Sequence, residues 1–440
     1  MCFRNMLVGL LVGATALMGL GLGTAQAQKE QFIPMMVYRT GPYAPSGIPT
    51  ADGYRDYLKL LDIRDHGING VKVTWEECET SYNNAKGVEC YEKLKNKGPT
   101  GASLFNPYST GITYQLIPKS AVDKIPLHSM GYGRTAAADG EVFPYVFNFP
   151  GTYWSQASAL IRYIGEQEGG LNNLKGKKIA LIYHNSAYGK EPIPTLTKLA
   201  EKFGYNFTTL PVDHPGQEQG ATWLQIRRLR PDWILMWGWG VMNSVAIKEA
   251  ASINYPMDHF IGVWWSGSEA DVIPAGKGAI GYKAATFNGT GTHYKVVQDV
   301  LKYVYKGNVA EAKANHWGEV LYDRNLANAM YDTEAIRTAQ GKYGHKPLTG
   351  EQVRWGLENL NLTQERLNEL GFGDGMLQPI KITCEDHEAN GTIRIQQWDG
   401  KKWNMVTDWI QPMRDVVRPM VVEAAMAYAK ENNIKPRSCK

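Results

Sequence analysis

The chain has 440 residues, with 47 Lys and Arg against 43 Asp and Glu, a net charge of +4 and 43% hydrophobic residues. Charges of both signs are interleaved with no basic block, which excludes a nucleic-acid footprint as the basis of function. A chain of this length exceeds what one hydrophobic core usually serves, so two lobes are expected.

Taken in chain order, residues 1–27 place Arg4 ahead of a Gly- and Ala-rich apolar run that ends in Ala25-Gln26-Ala27. This is the layout of a secretory signal peptide, with cleavage expected after Ala27. A membrane anchor is the weaker reading, because the run ends in a cleavage site and no second apolar span follows. Cys2 precedes the apolar run and no cysteine stands at the start of the mature chain, so no lipid anchor is expected. The mature protein should be exported, soluble and not inserted in a membrane. Its four cysteines, Cys78, Cys90, Cys384 and Cys439, fit an oxidising compartment. Of the three possible connectivities, spacing favours Cys78–Cys90 and Cys384–Cys439. The segment "CEDHE" (384–388) also invites a zinc reading, but adjacent ligands on a short segment rarely close a tetrahedron and no Cys-x-x-Cys is present.

The mature chain then alternates strands with helices, as parallel α/β layers require. Apolar runs at 32–38, 71–75, 101–106, 125–131 and 142–149 read as strands. Helical stretches lie between them at 53–67, 81–96 and 111–124, the last interrupted by Pro118. After about 150 the pattern restarts, with helices at 153–169, 193–205, 221–230 and 241–255 and strands at 177–183, 231–239 and 259–265. Past 290 the chain turns helical, and from 378 it turns β-like, with Asn390-Gly391 and Asp399-Gly400 as expected hairpin turns and a final helix at 421–433. No Pro- or Gly-rich linker separates the halves. The expected architecture is two doubly wound α/β lobes hinged by crossover strands. Lobe 1 takes 28–149 plus about 285–378, lobe 2 takes 150–284 plus about 379–410, and 411–440 forms a C-terminal helix and tail.

Several segments in this order carry a resemblance. "GPYAPSG" (41–47) follows the first strand, "WEECETSYNNAKGVECYEKL" (75–94) carries an acidic strand end, a cysteine and a helix, "HNSAYGKE" (184–191) opens the second half, and "GFGDGMLQPIKI" precedes a closing hairpin. Together they resemble the type I periplasmic solute-binding proteins of ABC transporters, in the branched-chain and hydrophobic amino acid class, with the aromatic-acid receptors most similar. The resemblance covers essentially the whole mature chain. It implies a Venus-flytrap fold, a small-molecule ligand captured between closing lobes, a permease as partner, no cofactor or metal, a periplasmic location and a monomer.

In such a fold the binding groups come from loops beyond the C-terminal ends of the strands. In the first lobe these loops offer Tyr43, then Tyr108, Ser109 and Thr110 in "NPYSTG", and Gly131, Tyr132, Gly133 and Arg134 in "MGYGRT". Ser109 and Thr110 suit a carboxylate at a helix start, although an ordinary N-cap recruits the same residue types. In the second lobe they offer Tyr188, Trp239 and the pair Trp264-Trp265. Trp237 and Trp239 project to one side of their strand, and Trp239, nearer the strand end, is the pocket candidate with Trp237 as core.

The resemblance places an acid that reads the ligand ammonium where this chain has Trp264-Trp265; the nearest acid is Glu269. A buried ammonium without a partner costs several kcal/mol. The expected ligand is therefore an aromatic or hydrophobic carboxylate, its acid end held by hydroxyls, N–H groups or Arg134. A receptor for branched-chain amino acids, one for urea or short amides, and a ligand-sensing partner of a signalling protein are the alternatives. No Gly-x-Ser-x-Gly, P-loop or His-Glu-x-x-His is present, and an enzyme is not expected.

Overall fold

The structure is a computed structural model that describes residues 29–439. The expected signal peptide, 1–27, lies outside the described residues. The first lobe opens with β1 (Glu30–Val37), buried from its second residue onward and paired in parallel with β2 (Lys72–Glu79). Burial on both faces is what makes such a strand read as a continuous apolar run. Between them runs α1 (Ala44–Asp65), which starts well before the expected Gly53. Pro45 sits in its first turn, where a missing N–H costs nothing, so the proline-rich segment belongs to the helix.

α2 (Asn84–Leu94) begins at Asn83, whose side chain accepts from the Lys86 N–H. The expected strand at 101–106 reduces to a bridging segment: the Ser103 N–H donates to the Phe32 carbonyl, and Phe105 bridges Leu127. α3 (Thr110–Asp123) keeps Pro118 inside an unbroken helix. β3 (Leu127–His128) and β4 (Val146–Phe147) complete a parallel sheet whose strand ends face the cleft.

The second lobe contains α4 (Tyr153–Gln167), β5 (Lys178–His184), α5 (Ala187–Lys190), α6 (Ile193–Phe203), β6 (Asn206–Val212), α7 (Gly220–Leu229) and β7 (Trp233–Trp237). It continues through α8 (Val241–Ser252), β8 (Phe260–Gly262), α9 (Glu269–Val272) and β9 (Lys283–Thr286). Five of its strands are parallel, in the order β9-β8-β7-β5-β6.

The chain then returns to the first lobe with α10 (Lys295–Tyr303), α11 (Val309–Ala314), the long α12 (Val320–Tyr343) packed along α1, and α13 (Gly350–Glu358). β10 (Asn361–Leu362), α14 (Gln364–Leu370) and β11 (Ile380–Lys381) follow, β10 and β11 forming an antiparallel pair. Asp386 still bridges Asp139, and the His387 N–H donates to the Ala138 carbonyl. The ladders therefore change hands after His387 and not at about 378. Asn390-Gly391 lies in this crossing, its Gly391 N–H bonded to the Pro150 carbonyl, and forms no hairpin. Asp399-Gly400 does turn between β12 (Arg394–Trp398) and β13 (Trp403–Met405), and β12 adds antiparallel to β9 as the sixth strand. The final helix, α15 (Arg414–Glu431), is longer than expected and rests on residues 135–138 and α4.

Both expected disulfides are present, Cys78–Cys90 joining β2 to α2 and Cys384–Cys439 tying the C-terminal tail to the body. Their sequence separations of 12 and 55 residues correspond to about 3 and about 4 kcal/mol of chain-entropy stabilisation. Reduction is therefore expected to lower Tm by many degrees in calorimetry with and without a phosphine reductant. An unchanged Tm would mean that neither crosslink constrains the unfolded chain.

Candidate functional site

One face of α12 sets the cleft. Arg324, Asn328 and Asp332, spaced four residues apart, share that face and are fully buried. The Asp332 carboxylate lies 2.7 Å from His128 Nδ1 and accepts from the Tyr54 hydroxyl at 2.7 Å and Asn106 Nδ2 at 2.6 Å. Asn328 Nδ2 donates to Asn106 Oδ1 at 3.0 Å and to the Tyr108 hydroxyl at 2.7 Å. The two first-lobe loops, at 106–110 and 129–134, are thus pinned at their roots. Arg324 reaches the other lobe: Nη1 donates to the Trp264 carbonyl, Nε to Asn288 Oδ1 at 2.8 Å, and Nη2 to Thr286 Oγ1 at 3.2 Å.

Between these loops lies a narrow cavity of about 20 Å³. The first lobe supplies Tyr38, Tyr82, Tyr108, Ser109, Thr110 and Tyr132; the second supplies Tyr153, Tyr188, Trp239 and Trp265. The rings form an edge-to-face belt. Tyr38 meets Tyr82 at 5.1 Å and Trp239 at 6.3 Å, Trp239 meets Trp265 at 5.6 Å, and Trp265 meets Tyr132 at 6.0 Å. Two of these contacts, Tyr38–Trp239 and Trp265–Tyr132, cross between the lobes. Such pairs contribute about 0.5–1.5 kcal/mol each beyond area burial.

The polar groups are few and fixed. Ser109 is the N-cap of α3, its Oγ accepting from the Ile112 N–H, and the Gly133 N–H donates to Thr110 Oγ1. The remaining first-turn N–H groups of α3 have no intrahelical acceptor, so this end of the cavity favours an anion or another acceptor. The Tyr188 hydroxyl donates to the Gly238 carbonyl at 2.8 Å, and the Tyr108 N–H donates to the Tyr132 hydroxyl at 2.8 Å. Burial, reinforced by neighbouring tyrosines, pushes Tyr38, Tyr108, Tyr132, Tyr153 and Tyr188 well above the ordinary phenol range. None of the ten lining side chains carries a charge at neutral pH.

A cation stands behind the wall. The Arg324 guanidinium lies 5.2 Å from the Trp265 ring and 4.9 Å from Phe287. Burial lowers it to about 9, against the pull of Asp271 and Glu269, so it stays cationic at neutral pH. Glu269 does not reach the cavity; it begins α9, accepts from the Val320 N–H at 3.0 Å, and burial raises it to about 8. The cavity therefore holds no carboxylate for an ammonium and has a cation behind one aromatic wall.

The structure brings Tyr108, Ser109, Thr110, Tyr132, Tyr188, Trp239 and Trp265 together and leaves five other candidates elsewhere. Tyr43 faces His184 and His214 on the flank of the cleft. Trp264 is fully buried behind the wall against Tyr153 and Phe287, while Trp237 lies in the core. Gly131, with φ of 74°, packs on Trp264, whose ring would stand 2.4 Å from any Cβ there. Gly133 only buttresses Thr110. Arg134 points out of the cavity, its guanidinium 4.6 Å from the Tyr428 ring and 5.6 Å from Tyr114, because the cavity offers it no counter-charge. Three lining residues were not singled out from the sequence. Tyr38, one residue past β1, obeys the same strand-end rule as the others. Tyr82, at φ of 59° before α2, and Tyr153, in the first turn of α4, gave no such signal. Among the described residues, no group of three or more His, Cys, Asp or Glu could hold a metal ion, and no helix is long and apolar enough to cross a membrane.

A family model for periplasmic binding proteins matches residues 30–402. No curated protein matches the chain. A solved protein of the Pseudomonas fluorescens group, described as an ABC transporter permease, is 45% identical over 94% of this chain and 100% of its own, with a TM-score of 0.87. A branched-chain amino acid ABC transporter protein from Thermus thermophilus with bound valine is 22% identical over 89% and 99%, at a TM-score of 0.74. A solute-binding protein from R. palustris in complex with benzoate is 15% identical over 87% and 97%, at a TM-score of 0.68.

Asp332→Ala would leave three buried donors facing an empty site. It is expected to lower unfolding free energy by about 3–5 kcal/mol, read from urea denaturation; a loss under about 1 kcal/mol would mean that the loop roots do not depend on it.

Proposed function

This chain belongs to the periplasmic binding protein family, and from that premise we propose that it is the substrate-binding component of an ABC importer whose cargo is a small aromatic or hydrophobic carboxylate. It is exported by its signal peptide, captures the ligand between its lobes and delivers it to a membrane permease. The observation that carries the ligand class is a cavity walled by six tyrosines and two tryptophans with no carboxylate side chain on it. A ring or short apolar chain fills the aromatic belt, and its acid group meets Ser109, Thr110 and the start of α3. The Arg324 charge behind Trp265 favours an anion over a cation. The R. palustris neighbour with bound benzoate has the same fold. The Thermus neighbour with bound valine has it too, but an α-amino acid here would leave its ammonium unpaired.

A thermal-shift panel of benzoates, phenylpropenoids, fatty acids, leucine, urea and short amides tests the reading. A ligand at a hundredfold excess over Kd adds about 2.7 kcal/mol. The expected outcome is a clear shift with the aromatic acids and none with leucine; a shift with leucine alone would overturn it. Trp239→Ala should then weaken binding of the best acid by about tenfold or more, roughly 1.4 kcal/mol, measured by calorimetric titration. Unchanged affinity with a lowered Tm would make Trp239 a core residue only.

A further inference from the structure

On the flank of the cleft, directly behind Tyr82 and Tyr188 of the cavity wall, the two lobes meet through a second set of side chains. Tyr43 stands at the start of α1 in the first lobe and is 2% exposed. Its hydroxyl lies 2.8 Å from Nε2 of His184, at the end of β5, and 2.9 Å from both Nδ1 and Nε2 of His214 in the loop after β6. The backbone is shaped to allow this approach. A Cβ at Gly240 of the second lobe would lie 2.7 Å from the Tyr43 ring and 3.2 Å from the Pro42 carbonyl, and Gly240 has φ of 59°. The two imidazole centroids are 4.5 Å apart, and His184 Nδ1 is 2.7 Å from Ser186 Oγ.

A phenol carries one proton. It can donate to one imidazole and accept from the other, which two neutral rings allow and two imidazolium rings do not. Two cations this close, with His184 buried and His214 open to solvent, would also repel. We propose that Tyr43, His184 and His214 form a proton-sensitive clasp, which holds the lobes shut while both imidazoles are neutral and releases them on protonation.

The charged and titratable groups facing the clasp are few. Asp213 attracts the His184 cation, but its Oδ1 is engaged by Asn185 Nδ2 at 2.7 Å. Tyr82, its ring tilted against Tyr43, and Tyr188 complete the surroundings. Burial, then His214, pushes His184 down to about 4 from its ordinary 6.5, and burial lowers His214. A depressed imidazole favours the closed form above its free value. Closure is therefore fully supported above about pH 6.5 and lost as pH falls towards 4, by up to about tenfold per unit through His184. Glu191, which accepts from Thr135 and Tyr114 of the other lobe, is a separate contact across the cleft.

The test uses the mature chain with no ligand, spin-labelled at Ala85→Cys on α2 and Lys198→Cys on α6, both exposed positions, with all four mature cysteines paired. Electron–electron double resonance then reads the ratio of short to long interlobe distances between pH 7.5 and 4.5. The expected result is a closed-to-open ratio that falls at least about tenfold between pH 7 and 5. Tyr43→Phe, which keeps the ring, should lower the ratio at pH 7.5 and flatten its pH profile. His184→Gln with His214→Gln should flatten the profile. A ratio independent of pH in the unaltered chain, or one equally steep in the double histidine variant, would overturn the proposal. Because no ligand is present, a failed ligand panel and a failed clasp are separate results.

Discussion

Arg324, Asn328 and Asp332 occupy a helix face that solvent does not reach, and each buries a charge or an amide that the fold must satisfy. Their partners are the roots of the loops that form the cleft: Asn106 and His128 in one lobe, Asn288 and the Trp264 carbonyl in the other. A buried polar group left without its partner costs several kcal/mol, so those loop roots have little freedom. The helix thus acts as a template, and the aromatic side chains borne a few residues further along each loop inherit their positions from it.

From that template follows the character of the cavity. The belt of rings is continuous only because Tyr38 meets Trp239 and Trp265 meets Tyr132 across the cleft. The lobes thus meet through the same rings that line the cavity. Affinity then depends on the open-to-closed balance as well as on contacts inside the cavity. Side chains outside the cavity, at Tyr43 and Glu191, also bridge the two lobes.

The layered α/β pattern, the order of the halves and both disulfides were legible because they rest on periodicity and spacing, which are local properties. The strand-end rule located Tyr108, Ser109, Thr110, Tyr132, Tyr188, Trp239 and Trp265. It did not discriminate among neighbours on one loop: Trp264 and Trp265 are adjacent, and only the twist of the chain after β8 decides which faces the cavity. Arg134 and Tyr43 were drawn to the ligand by residue type, yet the first found two aromatic faces outside and the second two histidines from the opposite lobe. Tyr82 and Tyr153 belong to helix starts, where nothing local distinguishes a pocket wall from a core ring. The Arg324–Asn328–Asp332 spacing was visible, but its meaning depends on partners some forty to more than two hundred residues away.

The place of β12 in the second sheet has a further consequence, for folding. Residues 283–286 of β9 pair with 394–397, which emerge only near the end of the chain. Until then β9 is an open edge of a largely apolar sheet, the kind of edge that recruits foreign strands. The finished protein hides it under β12 and ends the sheet on β13, three residues long and linked by a tight turn. A chain cut short before Arg394 would keep all ten of its cavity residues and still expose a template for aggregation.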